Sequence, residues 1–182
     1  MADLVSHPDE VKVISSRWGK GATNLDRYLE LDGYKAVQKA LAMTPDAIIN
    51  EVKASNLRGR GGAGFPTGMK WSFVPKEAPK PKYILCNGDE SEPGTCKDRL
   101  IFAHDPHAVI EGVIIAGLAV GAKAGYIYLR GEYRYLSIIM QKAMPTPTRA
   151  ASPARTSSAA AKILTCTGMA APAPMKWAKS RR

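Results

Sequence analysis

The apolar residues of this chain form two short runs with a longer run between them. Residues 82–87 and 123–129 are short and rich in isoleucine, leucine and tyrosine, which is typical of buried strands. The longer run begins at Asp105 and Pro106, a capping residue and a proline that suits the first helical position. It continues to about Val120 and is apolar almost all round, so we expect a buried helix. Strand, helix and strand in this order predict a βαβ unit with parallel strands, and therefore an α/β fold.

Another helix is predicted before this unit, in residues 44–57, because Pro45 lies in its first turn and the apolar spacing is roughly helical. This helix decides how the glycines after it are interpreted. Gly59, Gly61 and Gly64 match the G-x-G-x-x-G pattern of dinucleotide-binding folds, but that pattern needs a strand before it. We therefore do not expect an ordinary Rossmann turn, and a flexible glycine loop is the plain alternative.

The candidate chemistry is concentrated in residues 56–71, which hold five glycines, two arginines and one lysine. Glycines allow backbone N–H groups to approach an anion closely, and the cations neutralise its charge. Phe65 and Trp71 add aromatic faces that can stack on a planar ring. A phosphate site beside a stacking surface predicts a nucleotide ligand.

A dense polar loop, residues 87–99, follows the first predicted strand. Ligands of α/β proteins bind at the carboxyl ends of strands, so this loop is a second part of the candidate site. His104 and His107 flank Asp105 near the next helix, and we interpret them as capping or surface residues rather than metal ligands.

These motifs resemble a known family. Residues 58–71, 87–95 and 97–99 resemble the FMN- and NADH-binding flavin subunit of respiratory complex I (NADH:quinone oxidoreductase) of the bacterial type, and the similarity covers about residues 25–144. Cys96 departs from the family pattern, which usually has phenylalanine there. A smaller side chain at this position should loosen packing more than it changes chemistry.

The resemblance implies a Rossmann-like FMN-binding domain, here incomplete, of an NADH dehydrogenase, and we expect this chain to be truncated and inactive alone. FMN would accept a hydride from NADH and electrons would pass to iron–sulfur clusters, while the protein supplies position and charge. A flavin subunit of an NAD-linked hydrogenase or formate dehydrogenase remains an alternative, because partner subunits decide the electron acceptor. A non-catalytic basic protein that binds nucleotides or nucleic acid is a third class.

The resemblance also implies which residues bind cofactors, and it implies no acid–base pair, since hydride transfer needs alignment rather than proton abstraction. The glycine segment with Lys70 would hold FMN. The hydrogen bonds to the flavin ring and the ribityl chain would be completed by Asn87, Asp89, Glu90 and Ser91. Phe65 and Phe73 would stack on the adenine of NADH, and Glu92 would contact the nicotinamide nucleotide. The full cofactor-binding set is Gly59, Arg60, Gly61, Gly62, Ala63, Gly64, Phe65, Lys70, Phe73, Asn87, Asp89, Glu90, Ser91 and Glu92. For Glu90 and Glu92 the plain alternative is a solvated loop.

The net charge divides the chain. Residues 145–182 contain seven Lys or Arg and no Asp or Glu, so they supply +7 of the formal +10. With ten alanines and five prolines, this tail cannot bury enough apolar surface to offset the entropy of ordering, and we expect it to be disordered. We accordingly divide the chain into an arm at 1–24, the N-terminal part of the FMN- and NADH-binding domain at 25–144, and an aberrant basic tail at 145–182.

A shift of reading frame after Met144 explains the tail. Methionine and tryptophan have single codons, so the shifted frame must encode Gly, Glu and Gly under Met169, Met175 and Trp177. With permitted synonymous codons, residues 164–182 become DVYRHGGAGAYEVGEESA, which resembles the family's flavin-closing GAGAY-GEE segment. A naturally divergent tail is the alternative.

The cysteines Cys86, Cys96 and Cys166 show no C-x-x-C spacing, so the [4Fe–4S] ligands of the full-length family are absent here. The apolar run at 109–120 is too short to span a membrane. We therefore expect no metal site, no direct membrane insertion and no nucleic-acid partner. The resemblance implies NADH as substrate and peripheral-arm subunits of complex I as partners, especially the small [2Fe–2S] subunit. It also implies a cytoplasmic location, peripheral to the inner face of the cell membrane through those subunits.

Overall fold

The computed structural model describes residues 9–77, 81–144 and 167–170. Seven α-helices and three β-strands lie in this part of the chain: α1 (Leu25–Glu30), α2 (Lys35–Leu41), α3 (Pro45–Ala54), α4 (Thr67–Ser72), β1 (Tyr83–Gly88), α5 (Lys97–His104), α6 (Pro106–Val120), β2 (Ala124–Leu129), α7 (Arg134–Ala143) and β3 (Thr167–Ala170). Short 3-10 helices lie at Ile14–Arg17 and Gly131–Tyr133.

The three strands form one parallel sheet in the order β1-β2-β3. β1 and β2 pair from Tyr83 opposite Ala124 to Gly88 opposite Leu129, and the chain passes through α6 between them. The predicted α/β fold and its βαβ unit are therefore confirmed, and each strand begins one residue later than its apolar run.

The predicted helices also form, and their caps explain where they begin. The side chain of Asp105 accepts a hydrogen bond from the backbone N–H of Ala108 at 3.1 Å, at the start of α6. α3 begins in the same way, with Thr44 accepting from the N–H of Ala47 at 3.3 Å. Because α3 precedes the glycine segment, that segment follows a helix and is not an ordinary Rossmann turn.

The strand β3 differs from expectation, since we predicted no regular structure in residues 145–182. Its residues pair with β2 in parallel, with Tyr126 opposite Thr167 and Leu129 opposite Ala170. A physical reason is that the outer edge of β2 would otherwise present unpaired backbone N–H and C=O groups. The rest of the predicted tail, residues 145–166 and 171–182, lies outside the described residues.

The core is built around α6. At one side Ile110 and Ile114, which are 1% and 2% exposed, pack with apolar residues of α5, α7 and the sheet, including Phe102, Leu136 and Met140. A second cluster joins the far end of the helix to α2 and α3, through Ala40, Ile48, Ile49, Ala119 and Val120. The helix α6 is therefore apolar on nearly all of its faces because other elements cover it from several directions.

His107 corrects one expectation, because it lies in the interior rather than at a capping or surface position. Its side chain is 1% exposed, and its Nδ1 lies 3.1 Å from the hydroxyl of Tyr34. The N-terminal segment covers this end of α6. The guanidinium of Arg17 pairs with Asp105 at 2.8 Å, and the ring of Trp18 stacks on His104 with 5.1 Å between centroids.

Candidate functional site

Residues 58–66, the glycine loop, connect α3 to α4, and backbone hydrogen bonds join the two ends of the loop. The N–H of Gly59 donates to the carbonyl of Phe65 at 2.9 Å, and the N–H of Thr67 donates to the carbonyl of Leu57 at 2.8 Å. Between these bonds the tip of the loop, residues 60–63, is exposed. The loop is therefore fixed at its base and open at its tip.

Glycine is required in this loop for its backbone conformation and for the space it leaves. Gly62 and Gly64 have φ angles of 105° and 62°, a region that side chains disfavour. A Cβ added to Gly61, Gly62 or Gly64 would meet no atom within 4 Å. The free space beside the tip is thus available to a ligand.

Gly68, the second residue of α4, fixes the loop against the rest of the fold. A Cβ built on Gly68 would lie 2.6 Å from the backbone nitrogen of Lys53 on α3, so the two helices touch at this point. Close contact between helix backbones needs glycine and leaves little freedom for relative movement.

The larger of two cavities beside the loop, the apolar cavity, has a volume of about 750 Å³. The glycine loop, α4, β1 and α6 form its walls. The predicted site residues on its surface are Gly59, Gly61, Ala63, Gly64, Phe65 and Lys70. The wall formed by α6 consists of small and apolar residues, Val109, Gly112, Val113, Ala116 and Val120. Gly112 was not among the predicted site residues, although a glycine inside an apolar helix is a signal of a packing or ligand role.

The second cavity, the polar cavity, has a volume of about 620 Å³ and lies where the glycine loop meets the loop after β1. The predicted site residues on its surface are Arg60, Gly61, Gly62, Asn87, Asp89, Glu90, Ser91 and Glu92. Thr95, Lys97 and Asp98 complete its walls. Gly61 lines both cavities, so the tip of the glycine loop borders each of them.

The resemblance assigns Lys70 and Asn87 to FMN, and Phe65 and Glu92 to NADH. The two cavities divide these residues in another way, since Lys70 and Phe65 lie on the apolar cavity, whereas Asn87 and Glu92 lie on the polar cavity. Phe73 lines neither, but its ring, 67% exposed, lies 6.2 Å from the ring of Phe65. The two phenylalanines therefore form an exposed aromatic pair beside the apolar cavity.

Residues 87–95, the acidic loop, owe their shape to short-range hydrogen bonds. The Oδ1 of Asn87 accepts from the N–H of Asp89 at 2.9 Å, and the hydroxyl of Ser91 donates to Asp89 Oδ2 at 3.1 Å. A turn follows, in which the N–H of Thr95 donates to the carbonyl of Glu92 at 3.1 Å. These bonds place the side chains of Asp89, Ser91 and Glu92 on the polar cavity while they remain exposed.

Glu90 is the exception in this loop, because it is 4% exposed and points its carboxylate at α5. Its two oxygens accept the backbone N–H groups of Asp98 at 2.8 Å and Arg99 at 3.3 Å, at the start of that helix. Burial acts to raise the pKa of Glu90, but these N–H groups and the charges of Lys97 and Arg99 outweigh it, so the pKa lies below its ordinary value. The solvated-loop alternative is wrong for Glu90.

The backbone carbonyl of Glu90 is held as well. It accepts hydrogen bonds at 3.2 Å from Nη1 of Arg130 and at 3.2 Å from the hydroxyl of Tyr133. The guanidinium of Arg99 lies over the ring of Tyr133, 5.8 Å from its centroid. Sequence patterns assigned no role to these three residues, since contacts across about 40 positions leave no periodic signal.

In the described residues, no group of three or more His, Cys, Asp or Glu side chains is arranged to hold a metal ion. No single helix there is long and apolar enough to cross a membrane. The helices α5 and α6 would together have sufficient length and apolar composition, but they are bent by 103° where they meet.

The profile of the Nuo51 FMN-binding domain matches residues 52–163. The chain is 62% identical over 110 residues to the NADH-quinone oxidoreductase F 2 subunit of Rhizobium meliloti (strain 1021), and the match covers 60% of this chain and 26% of that protein. It is 51% identical over 130 residues to the NADH-quinone oxidoreductase F subunit of Streptomyces coelicolor (strain ATCC BAA-471 / A3(2) / M145), covering 70% of this chain and 29% of the relative.

A solved structure, that of an NAD+-reducing [NiFe]-hydrogenase in the air-oxidized state, is similar with a TM-score of 0.57 and 41% identity. The similarity covers 66% of this chain and 21% of that one. The chain therefore spans between a fifth and a third of the length of the proteins that it matches.

Proposed function

We infer that this chain, which belongs to the Nuo51 FMN-binding domain family, supplies FMN- and NADH-binding residues of an NADH-oxidising flavin subunit. The family profile covers more than half of the chain, at residues 52–163. The observation that carries the inference is the convergence of the glycine loop and the acidic loop on one polar cavity. Neither loop alone distinguishes a nucleotide site from a solvated loop.

The polar cavity offers the groups that FMN needs. Arg60 and Lys97 supply positive charge for a phosphate, and the open space beside Gly61 and Gly62 allows backbone N–H groups to approach it. The side chains of Asn87 and Asp89 supply the acceptors and donors that a ribityl chain and a flavin ring require. When bound, FMN accepts a hydride from NADH and releases electrons one at a time.

The apolar cavity suits the rest of the nucleotide chemistry. Phe65 is 44% exposed at its rim and lies beside Phe73, so the pair presents aromatic faces on which adenine can stack. Lys70 lines this cavity near the glycine loop and would balance phosphate or flavin charge. Glu92, on the polar cavity, would contact the nicotinamide nucleotide.

The electron acceptor and the partners follow from the relatives as proposals. The Rhizobium meliloti relative is by name one subunit of a larger enzyme, an NADH-quinone oxidoreductase. We propose that electrons leave toward iron–sulfur centres of neighbouring peripheral-arm subunits, beginning with the small [2Fe–2S] subunit. The site would then lie on the cytoplasmic side, peripheral to the membrane through those subunits.

A flavin subunit of an NAD-linked hydrogenase is the second candidate, and the similarity to the NAD+-reducing [NiFe]-hydrogenase favours it specifically. Both candidates share the flavin site and the oxidation or reduction of the nicotinamide cofactor. They differ in the partner that exchanges electrons with the flavin.

The proposal predicts weak but specific binding of FMN by this chain, since apart from Glu90 the residues facing the polar cavity are exposed or only partly buried. Fluorescence titration of FMN measures the dissociation constant, with riboflavin as the phosphate-free comparison. Arg60→Met should weaken FMN binding, whereas Arg134→Met, which removes an exposed arginine at the start of α7, should leave it unchanged. Equal affinities for FMN and riboflavin, or equal effects of the two substitutions, would contradict the proposed site.

A further inference from the structure

Glu90 stands apart from the other acidic residues of the site because its carboxylate is buried and bonded to a helix start. Its side chain is 1% exposed, and both carboxylate oxygens accept backbone N–H groups at the start of α5. Turning the carboxylate away from α5 would leave these two N–H groups without partners. Buried N–H groups without partners are costly, so the side chain is held in this direction.

The contacts of the Glu90 carboxylate and those of its backbone carbonyl together form what we call the anchor. The carbonyl is its second half. Arg130 follows β2 and Tyr133 ends the short helix after it, and both donate to this carbonyl at 3.2 Å. Glu90 is thereby held from α5 through its side chain and from the end of β2 through its backbone. The neighbours of Glu90 in the chain, Asp89 and Ser91, lie on the polar cavity.

We propose that Glu90, Arg130 and Tyr133 are positioning residues that hold the acidic loop so that Asp89 and Ser91 face the ligand, and that the Glu90 carboxylate acts chiefly by fixing this loop to α5 rather than by binding the ligand. This inference rests on the proposed function for the identity of the ligand, FMN. It replaces the role that the resemblance gave to Glu90, a hydrogen bond to the flavin. Arg99, stacked on the ring of Tyr133, ties the two halves of the anchor together.

Tyr133→Phe tests the carbonyl half, because it removes the donating hydroxyl and keeps the ring beneath Arg99. Tyr135→Phe is the matched control, since Tyr135 is 50% exposed and lies in the next helix. Two measurements are made on the full chain by NMR: hydrogen exchange of the amides of residues 89–95 without ligand, and the dissociation constant for added FMN.

For Tyr133→Phe we expect faster exchange across residues 89–95 and weaker FMN binding, each by about three- to tenfold, as for the loss of one hydrogen bond. Exchange of the buried amides of α6 should not change, which separates positioning of the loop from a general loss of stability. If Tyr133→Phe matches Tyr135→Phe in both measurements, the inference is overturned.

Glu90→Gln separates an anchor from a ligand contact. An anchor predicts faster exchange of the amide protons of Asp98 and Arg99, which the carboxylate accepts in the wild type. A direct flavin contact predicts weaker FMN binding with unchanged exchange at these two amides, and that result would overturn the inference. If the wild-type chain binds no FMN but exchange responds as expected, the anchor stands and the proposed function fails.

Discussion

The hydroxyl of Tyr28 donates a hydrogen bond of 2.5 Å to the carboxylate of Glu111, across 83 positions of sequence. Tyr28 is fully buried, and Glu111 is 8% exposed on the otherwise apolar helix α6. The same carboxylate accepts the backbone N–H groups of Tyr34 and Val37 at 3.2 Å, so it caps α2. Burial, and then the bond to Glu111, raises the pKa of Tyr28 well above its usual range. One acidic residue thus joins α1, α2 and α6.

Tyr28→Phe should destabilise the fold, because it removes a donor from a buried carboxylate while keeping the ring. We expect a loss of about 1.5–3 kcal/mol in the free energy of unfolding, the range for hydrogen bonds to charged groups. Chemical denaturation of the full chain measures it. Tyr135→Phe removes an exposed hydroxyl and should change the stability by less than about 0.5 kcal/mol. Equal effects would show that the Tyr28–Glu111 bond contributes nothing.

Two helical glycines should respond in opposite directions to alanine. In Gly68→Ala the new Cβ lies 2.6 Å from the backbone of Lys53, so we expect a loss of about 1–3 kcal/mol and a displaced glycine loop. In Gly112→Ala the new Cβ meets no atom within 4 Å, and helix propensity should add about 0.5–1 kcal/mol. The denaturation midpoints of the two variants measure these changes in stability. A stabilised Gly68→Ala would refute the close contact of α3 with α4.

His107 predicts a pH dependence of stability. Burial lowers its pKa, and the charge of Asp105 opposes this only in part. Below about pH 6.5 the unfolded chain takes up a proton that the folded chain does not, so stability falls as pH decreases, by at most about 1.4 kcal/mol per pH unit. NMR titration of the imidazole should give a pKa below the ordinary value for histidine. A pKa at or above that value would contradict the buried, neutral state.

Much of this fold could be predicted from sequence because the βαβ unit has local signals. The apolar runs indicated β1, α6 and β2 to within a residue, and Asp105 marked the start of α6. The buried position of His107 could not be predicted in the same way. It depends on the rings of Tyr28 and Tyr34, which lie 5.2 Å and 6.0 Å from the imidazole although they are more than 70 positions away in sequence.

In the candidate site, too, the features with local sequence signals could be predicted and those that depend on long-range contacts could not. The glycine and acidic loops were recognisable, since their composition is itself the signal. The direction of the Glu90 side chain was not, because alternation within a loop does not determine which carboxylate turns inward. Long-range contacts such as those with Asp98 and Arg130, and the burial that goes with them, distinguish Glu90 from Glu92.

The DNA after codon 144 tests the origin of the basic tail. We expect the shifted frame to continue through a GAGAY-GEE segment, because Met169, Met175 and Trp177 force Gly, Glu and Gly in that frame. Resequencing the locus is the measurement. Early stop codons in the shifted frame, or a continuation without the cluster-binding cysteines of the family, would show that the tail is natural.

The central claim, that the glycine loop and the acidic loop bind one FMN, is tested most directly by mapping the flavin on the isotopically labelled chain by NMR. We predict that added FMN shifts the amide signals of residues 60–64 and 87–92 together, with one dissociation constant for both loops. Riboflavin should leave the signals near Arg60 and Gly62 nearly unchanged, because it lacks the phosphate. Shifts confined to one loop, or located away from both cavities, would contradict the account.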